Sequence, residues 1–213
     1  MPRSARFPKP VPRRRRDAAA ARALILDAAE RQLVRAGPSG LRLKEVARDA
    51  GVSHPTVLHH FGNREALVKA VIARSLAALH ARLVEAIESS SGEEDQLASI
   101  LDGAFHALAS SGQGRVMLWL ALEGQRIAAS DVGLASVVTA AHGLRTKRRK
   151  KGPKPAREDT GFAVVLASLA LLGFSVIGET LLENAGLAHD PAAQKRFRAW
   201  LAHLLVCHLD APG

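Results

Sequence analysis

The tripeptide Gly51-Val52-Ser53 and the residues after it are the stretch whose types and spacing could do chemistry. Leu43, Val46, Ala47 and Ala50 trace one apolar stripe over two helical turns, and Gly51 then suits the left-handed position that ends a helix. Val52 is an apolar anchor, and the Ser53 hydroxyl can cap a following helix in which Pro55 is tolerated in the first turn. Two short helices about such a turn are what a helix-turn-helix requires, although an ordinary αα-corner in a bundle would use the same tripeptide. The outer positions of the second short helix, His54, Thr56, His59 and His60, are polar and none is acidic. Their chemistry is hydrogen bonding to phosphates and base edges, which favours a DNA-reading role.

The charge distribution points the same way. The 213 residues carry 30 Lys+Arg against 20 Asp+Glu, a formal charge of +10, and 47% of them are apolar, enough for one or two packed domains. Residues 1–81 hold 16 Lys+Arg and 6 Asp+Glu, whereas residues 82–213 hold 14 of each, so the whole excess sits in the first two fifths. A polyanion-facing N-terminal module is the simplest reading, with acidic lipid surfaces as the rival. Residues 1–17, rich in proline and arginine and without apolar periodicity, read as a disordered basic arm. In such an arm Arg13, Arg14, Arg15 and Arg16 could follow a DNA groove and gain affinity from counterion release, or they could be a solvated tail.

The positioning elements are helical. Ile25, Ala28, Ala29, Leu33 and Ala36 recur at steps of three and four from Ala18 onward, closed by Gly37 and Pro38. The second helix runs to Gly51 and the third to about His60. Asn63 is the next cap, and Val68, Val71, Ile72, Leu76, Leu79 and Leu83 predict a long linking helix over 64–84. Residues 18–63 thus form the DNA-binding domain and 64–213 a second domain.

The run ILDAAERQLVRAG, the run KEVARDAGVSHPTVLHHFGNREALVKAV and their separation, between Arg22 and Val71, resemble the N-terminal domain of the TetR family of bacterial transcriptional repressors. The resemblance implies an all-α fold of about nine helices, a homodimer, operator DNA bound by the first three helices, and a C-terminal ligand pocket and dimer interface. It places Ser53, His54, Pro55 and Thr56 among the DNA-binding residues, at base edges and phosphates, and makes His60 and Arg64 phosphate contacts with Lys44 as a further phosphate candidate. Phe61 matches a core aromatic. Two residues depart from the family pattern. Leu58 stands for a tyrosine, whose contact is lost or passes to His59, and Arg42 stands for a capping Thr or Ser, leaving the second helix a weaker start but adding a further phosphate candidate.

Beyond an acidic, Ser/Gly-rich break at 89–95, helices are expected over about 97–109, 116–127 and 132–144, with a basic loop at 145–157 whose eight Lys+Arg offset an otherwise acidic module. That loop reads as solvated and charge-balancing, or as a second contact to an acidic partner. Residues 160–178 include no formal charge, which is long enough for a membrane span. Gly161, Ser168, Gly173, Ser175 and Gly178, and the helical pattern continuing through Glu179 and Glu183, favour instead the family's eighth helix, buried on nearly all sides in a two-fold four-helix bundle. Its ninth partner spans about 191–209. The expected dimer interface is Gly173, Phe174, Ile177, Gly178 and Leu181 on one helix with Phe197, Trp200, Leu201, Leu204 and Leu205 on the other.

The expected ligand pocket is lined by Phe105, Met117, Trp119, Leu122, His142, Phe162 and Leu166, with Glu123, Arg126 and His106 as polar groups, although most of these residue types in such a pattern are more often core than pocket. The scarcity of aromatics, with no tyrosine, favours an aliphatic effector. His106, Glu123 and His142 stand isolated, and no phosphate loop, HExxH or nucleophile motif accompanies them, so no catalytic residue, metal or cofactor is expected. Cys207 is a single cysteine and no secretory leader opens the chain, so the expected home is the cytoplasm. The resulting expectation is a homodimeric regulator, most simply a repressor released from double-stranded operator DNA by a small apolar effector. A membrane-associated or metal-responsive regulator is the alternative, and an enzyme the least supported reading.

Overall fold

Periodic apolar residues give this chain its helices, and its computed structural model describes residues 13–110, 112–124, 133–149, 154–187 and 192–210. Among the described residues the elements are α1 (Arg13–Gly40), α2 (Leu43–Asp49), α3 (His54–Phe61), α4 (Arg64–Ser89), α5 (Glu94–Ser110), α6 (Gln113–Leu122), α7 (Leu134–Arg148), α8 (Arg157–Asn184) and α9 (Ala192–Asp210). The fold is all-α, as expected. The chain divides into two units, residues 1–71 and 72–213, with the division inside α4 rather than at its start. The first two turns of α4 belong to the N-terminal unit because Leu67, Val68 and Val71 are fully buried there.

In the N-terminal unit, α1 begins at Arg13, not at Ala18. Arginine is a good helix former and neither glycine nor proline interrupts 13–36, so the last five residues of the expected arm are helical. Residues 1–12 lie outside the described residues, as do the side chains of Arg13 to Arg16. Gly37 adopts a φ of 66°, breaking the regular helix one residue before Pro38, as the sequence leads one to expect. Ile25, Ala28, Ala29 and Leu33 are buried on α1, Val46 and Ala47 on α2, and Val57 and Phe61 on α3. The Arg22 guanidinium lies 4.5 Å from the centre of the Phe61 ring, so Phe61 is structural.

The C-terminal unit is built around α8, which packs against α5, α6, α7 and α9, while α9 also packs against α5. Phe174 of α8 stacks on Phe197 of α9 with ring centres 4.4 Å apart and packs on Phe105 of α5 at 5.8 Å. Gly178 leaves room for that ring: a Cβ there would lie 2.6 Å from Phe174 Cδ2. The buried Arg198 of α9 donates from Nε to Asp102 of α5 at 2.6 Å and lies over the Phe105 ring. By length and composition α8 could cross a membrane. It buries Thr160, Ala163, Leu171, Phe174 and Gly178 inside this unit.

The segment expected as a basic loop is only partly a loop. α7 continues through Arg148 and α8 starts at Arg157, while residues 150–153 lie outside the described ones. Three of its arginines are engaged within the unit: Arg145 with Asp159 at 2.6 Å, Arg148 with the carbonyl of Gly92, and Arg157 with Thr139 Oγ1 at 2.9 Å.

Candidate nucleic-acid interface and effector cavity

The turn between α2 and α3 is closed by backbone geometry. Gly51, at φ 66°, donates its N–H to Arg48 O at 3.1 Å, and Val52 donates to Ala47 O at 3.0 Å, the paired bonds of a Schellman motif. Ser53 Oγ accepts the Thr56 N–H at 3.2 Å and lies 2.8 Å from Thr56 Oγ1, so the cap and the first turn of α3 are fixed together. Pro55 sits in that first turn. Leu58 and His59 are exposed on α3, and His54, Thr56 and His60 are partly exposed. His59 and His60 meet edge to face at 5.6 Å. The polar residues singled out from the sequence therefore share the accessible surface of a short, capped helix.

Arg42 precedes α2 in an extended conformation and makes no side-chain cap, as its chemistry dictates. Its N–H reaches Gln32 Oε1 at 3.5 Å, and the buried Gln32 also donates to Asp49 Oδ2 at 3.1 Å, tying both ends of α2 to α1. This hydrogen bond from Gln32, aided by Arg48 and Arg35, holds the Asp49 carboxyl below the usual carboxylate range. Arg42 and Lys44 are exposed beside the turn. Arg64 differs from the expected phosphate contact: it donates from Nε to Leu41 O at 3.1 Å and from Nη2 to Pro38 O, and pairs with Glu65 at 3.5 Å. The planar guanidinium matches two carbonyls of one loop, a geometry a lysine could not supply.

The C-terminal unit contains an apolar cavity of about 370 Å³. One face of α4 (Leu76, Leu83, Ile87) and one face of α7 (Val137, Ala141, Leu144) form its long walls, with residues of α5, α8 and α9 completing it. His80, Arg145, Arg148 and Thr160 are its main polar members. Burial pushes the His80 imidazole below its ordinary pKa, so it is neutral near pH 7. Asp159 accepts from His208 at 2.9 Å and pairs with Arg145, and these contacts hold its carboxyl below the usual range.

Of the residues expected to line a pocket, Met117 does. Phe105 belongs to the aromatic core instead, and Trp119 is half-buried away from the cavity. Leu122 is 79% exposed and Phe162 66%, and Leu166 and Glu123 also face outward, because the α6 and α8 faces carrying them point away from α4 and α7. His142 stands beside the cavity, its Nδ1 3.2 Å from Thr160 Oγ1, and His106 is exposed against Asp102. Arg126 lies outside the described residues. His80 and the walls from α4 and α7 went unassigned. Leu76, Leu79 and Leu83 were legible as a stripe, but periodicity does not distinguish a wall facing a cavity from one facing side chains.

The expected dimer face divides in two. Phe174, Gly178, Leu201 and Leu205 are buried in their own unit and Phe197 is half-buried there, so these belong to the core. Ile177, at 50% exposure, Leu181, Trp200, at 57%, and Leu204 remain uncovered, and a Cβ on the exposed Gly173 would meet nothing within 4 Å.

A capped helix-turn-helix on a small three-helix scaffold, carried at the start of a long helix, places this chain among the helix-turn-helix proteins. Residues 25–71 match the family model described as bacterial regulatory proteins, tetR family. It is 31% identical over 107 residues to the HTH-type transcriptional regulator BetI of Agrobacterium fabrum (strain C58 / ATCC 33970), covering 49% of this chain and 52% of that one. The chain thus spans about half the length of the curated relative it matches. Among solved structures, a tetR-family regulator of Mesorhizobium loti MAFF303099 superposes with a TM-score of 0.64 at 16% identity, covering 89% of this chain and 96% of that one. The transcriptional regulator FadR of Bacillus subtilis, in complex with stearoyl-CoA, does so with a TM-score of 0.59 at 18% identity, covering 87% and 98%. At these identities the superpositions establish the fold.

Proposed function

We propose that the chain is a cytoplasmic, homodimeric transcriptional regulator that binds double-stranded operator DNA and is released when a small apolar effector fills the C-terminal cavity. The observation that carries this reading is the exposed, non-acidic surface of α3, held by the Ser53 cap and the Gly51 turn within a unit that bears nearly all of the chain's positive excess, 15 Lys+Arg against 6 Asp+Glu. Arg42, Lys44, Pro55, His59 and His60 are the accessible candidates for DNA contact, and Arg13 to Arg16 would add phosphate contacts from the start of α1.

One short recognition helix needs a second half-site for useful affinity, roughly 34–36 Å away along DNA, and a two-fold dimer supplies it. The uncovered apolar residues of α8 and α9 are the surface that a second copy would bury, which also accounts for an apolar α8 without a membrane. FadR of Bacillus subtilis, solved in complex with stearoyl-CoA, has the same fold, and the cavity of this chain is lined mainly by aliphatic side chains. Effector binding acts by population shift, favouring a dimer whose recognition helices no longer match successive major grooves. Nuclease footprinting on the DNA upstream of the protein's own coding region tests the reading. A discrete protected site at moderate salt is expected, and its absence overturns the regulator assignment.

A further inference from the structure

The outward surface of α3 has two edges of different chemistry. Val57 and Phe61, four residues apart, are buried and fix the inward face. On the opposite side lie Pro55, Leu58 and His59, all exposed, with Leu58 at 38%. Pro55 and Leu58 are three residues apart and so share one edge of the helix, while Thr56 and His60, four apart, share the other. His59 stands between them. The side chains of the first edge offer only carbon, a pyrrolidine ring and an isobutyl group, whereas those of the second offer a hydroxyl and an imidazole. Ser53 Oγ accepts the Thr56 N–H at 3.2 Å and lies 2.8 Å from Thr56 Oγ1, so the capped first turn holds both edges in register.

A surface that docks on DNA loses its water, and each edge then needs a partner of its own kind. Phosphate oxygens and the ring nitrogens, carbonyls and amino groups of the bases are polar, and a leucine set against any of them leaves that group desolvated without a hydrogen bond. The major groove displays one apolar feature, the 5-methyl group of thymine. The unit that carries α3 holds 15 Lys+Arg against 6 Asp+Glu, so the attraction to phosphate is supplied by residues around the apolar edge rather than by the edge itself. What the edge can add is discrimination between bases, because phosphate contacts carry no sequence information directly.

We propose that Leu58, flanked by Pro55, reads the methyl group of one thymine in each operator half-site and is a specificity-determining residue of the DNA interface. This rests on the reading of the chain as a DNA-binding regulator.

The test uses the full-length protein and the duplex recovered by repeated selection from randomised DNA. Each thymine is replaced singly by deoxyuridine, which removes the methyl group and keeps the base pair, and affinities are read by fluorescence anisotropy at one salt concentration. For wild type, one thymine in each half-site is expected to lose about fourfold in affinity on replacement, the effect of one buried methyl. Leu58→Ala and Leu58→Ser, two replacements at an exposed helical position, should bind the thymine and deoxyuridine duplexes equally, with an unchanged slope of log affinity against log salt. Leu58→Met should keep most of the preference. A leucine with only a structural role would, on replacement, weaken both duplexes alike. That result, a selected site with no methyl-sensitive thymine, or a thymine preference that survives both Leu58→Ala and Leu58→Ser overturns the proposal. A discrete selected site without methyl sensitivity leaves the regulator reading standing, whereas failure to select any discrete site sinks both.

Discussion

Arg64 Nε donates to the backbone carbonyl of Leu41 at 3.1 Å, joining the first residue of α4 to the loop between α1 and α2 across 23 residues of sequence. The same guanidinium also reaches Pro38 O, which already accepts the Leu41 N–H at 3.3 Å, so one side chain binds two carbonyls around the kinked end of α1. Charged hydrogen bonds of this kind contribute about 1.5–3 kcal/mol. Arg64→Lys keeps the charge but cannot span both acceptors, and should lower the stability of the N-terminal unit by roughly 1 kcal/mol. Because the group is engaged with protein, the salt slope of DNA binding should stay nearly the same. A slope reduced by about 0.9, read from fluorescence anisotropy across a salt series, would mean that Arg64 contacts phosphate after all.

Ser53 offers a cleaner stability test. Its hydroxyl accepts the Thr56 N–H and pairs with the Thr56 hydroxyl, and nothing else caps the first turn of α3 among the described contacts. Ser53→Ala should cost about 1 kcal/mol, within the usual range of roughly 0.5–2 for a lost cap, while Ser53→Asp retains the acceptor and most of the stability. Urea denaturation followed by circular dichroism measures both. Equal stability of Ser53→Ala and wild type would show that the cap is not what fixes α3.

The N-terminal unit was legible because its signals are local. A left-handed glycine, a capping serine and an i, i+3, i+4 stripe each act within a few residues, and each appears in the structure where the sequence puts it. The role of Arg64 was not legible, since the carbonyls it meets lie 23 and 26 residues away and carry no side-chain signature. In the C-terminal unit the helices were readable but their facing was not. Phe174 and Ile177 lie three residues apart in the uncharged 160–178 stretch of α8, yet one stacks on Phe197 and the other is half exposed. A helix apolar all round gives no moment by which to orient it. The same ambiguity hid the cavity, whose walls are ordinary leucine stripes.

The basic start of the chain makes a prediction about salt. If two or three of Arg13 to Arg16 neutralise phosphates, deleting residues 1–16 should reduce the slope of log affinity against log salt by about 2–3, at roughly 0.9 per contact. Lys44→Ala, on the exposed first turn of α2, should reduce it by about 0.9 alone. Parallel slopes for the deletion and the intact chain would assign the arginines to solvation only.

The uncovered face of α8 and α9 predicts an oligomeric state. Ile177, Leu181, Trp200 and Leu204 are large, apolar and exposed, a combination that a solvated protomer leaves unexplained. Wild type should sediment as a dimer at micromolar concentration, and Ile177→Glu with Trp200→Glu as a monomer with unchanged helicity. That monomer should also lose most of its affinity for a site with two half-sites. A dimer that survives both substitutions places the interface elsewhere.

His80 gives the stability of the protein a pH dependence of definite sign. Burial lowers its folded-state pKa below the ordinary value of 6.5, so near that pH the unfolded chain binds the proton more readily than the folded one. Stability therefore rises with pH between the lowered folded value and 6.5, and is free of this penalty above 6.5. On acidification it is lost as pH falls through 6.5, and the loss levels off once the folded imidazole also protonates. His80→Gln cannot titrate and should show a shallower decline between pH 7.5 and 5, with the other histidines unchanged as the common background. Urea midpoints measured across that range for both proteins supply the comparison. Identical slopes would mean that the folded His80 binds its proton as easily as the unfolded one, which a buried imidazole without a counter-ion cannot do.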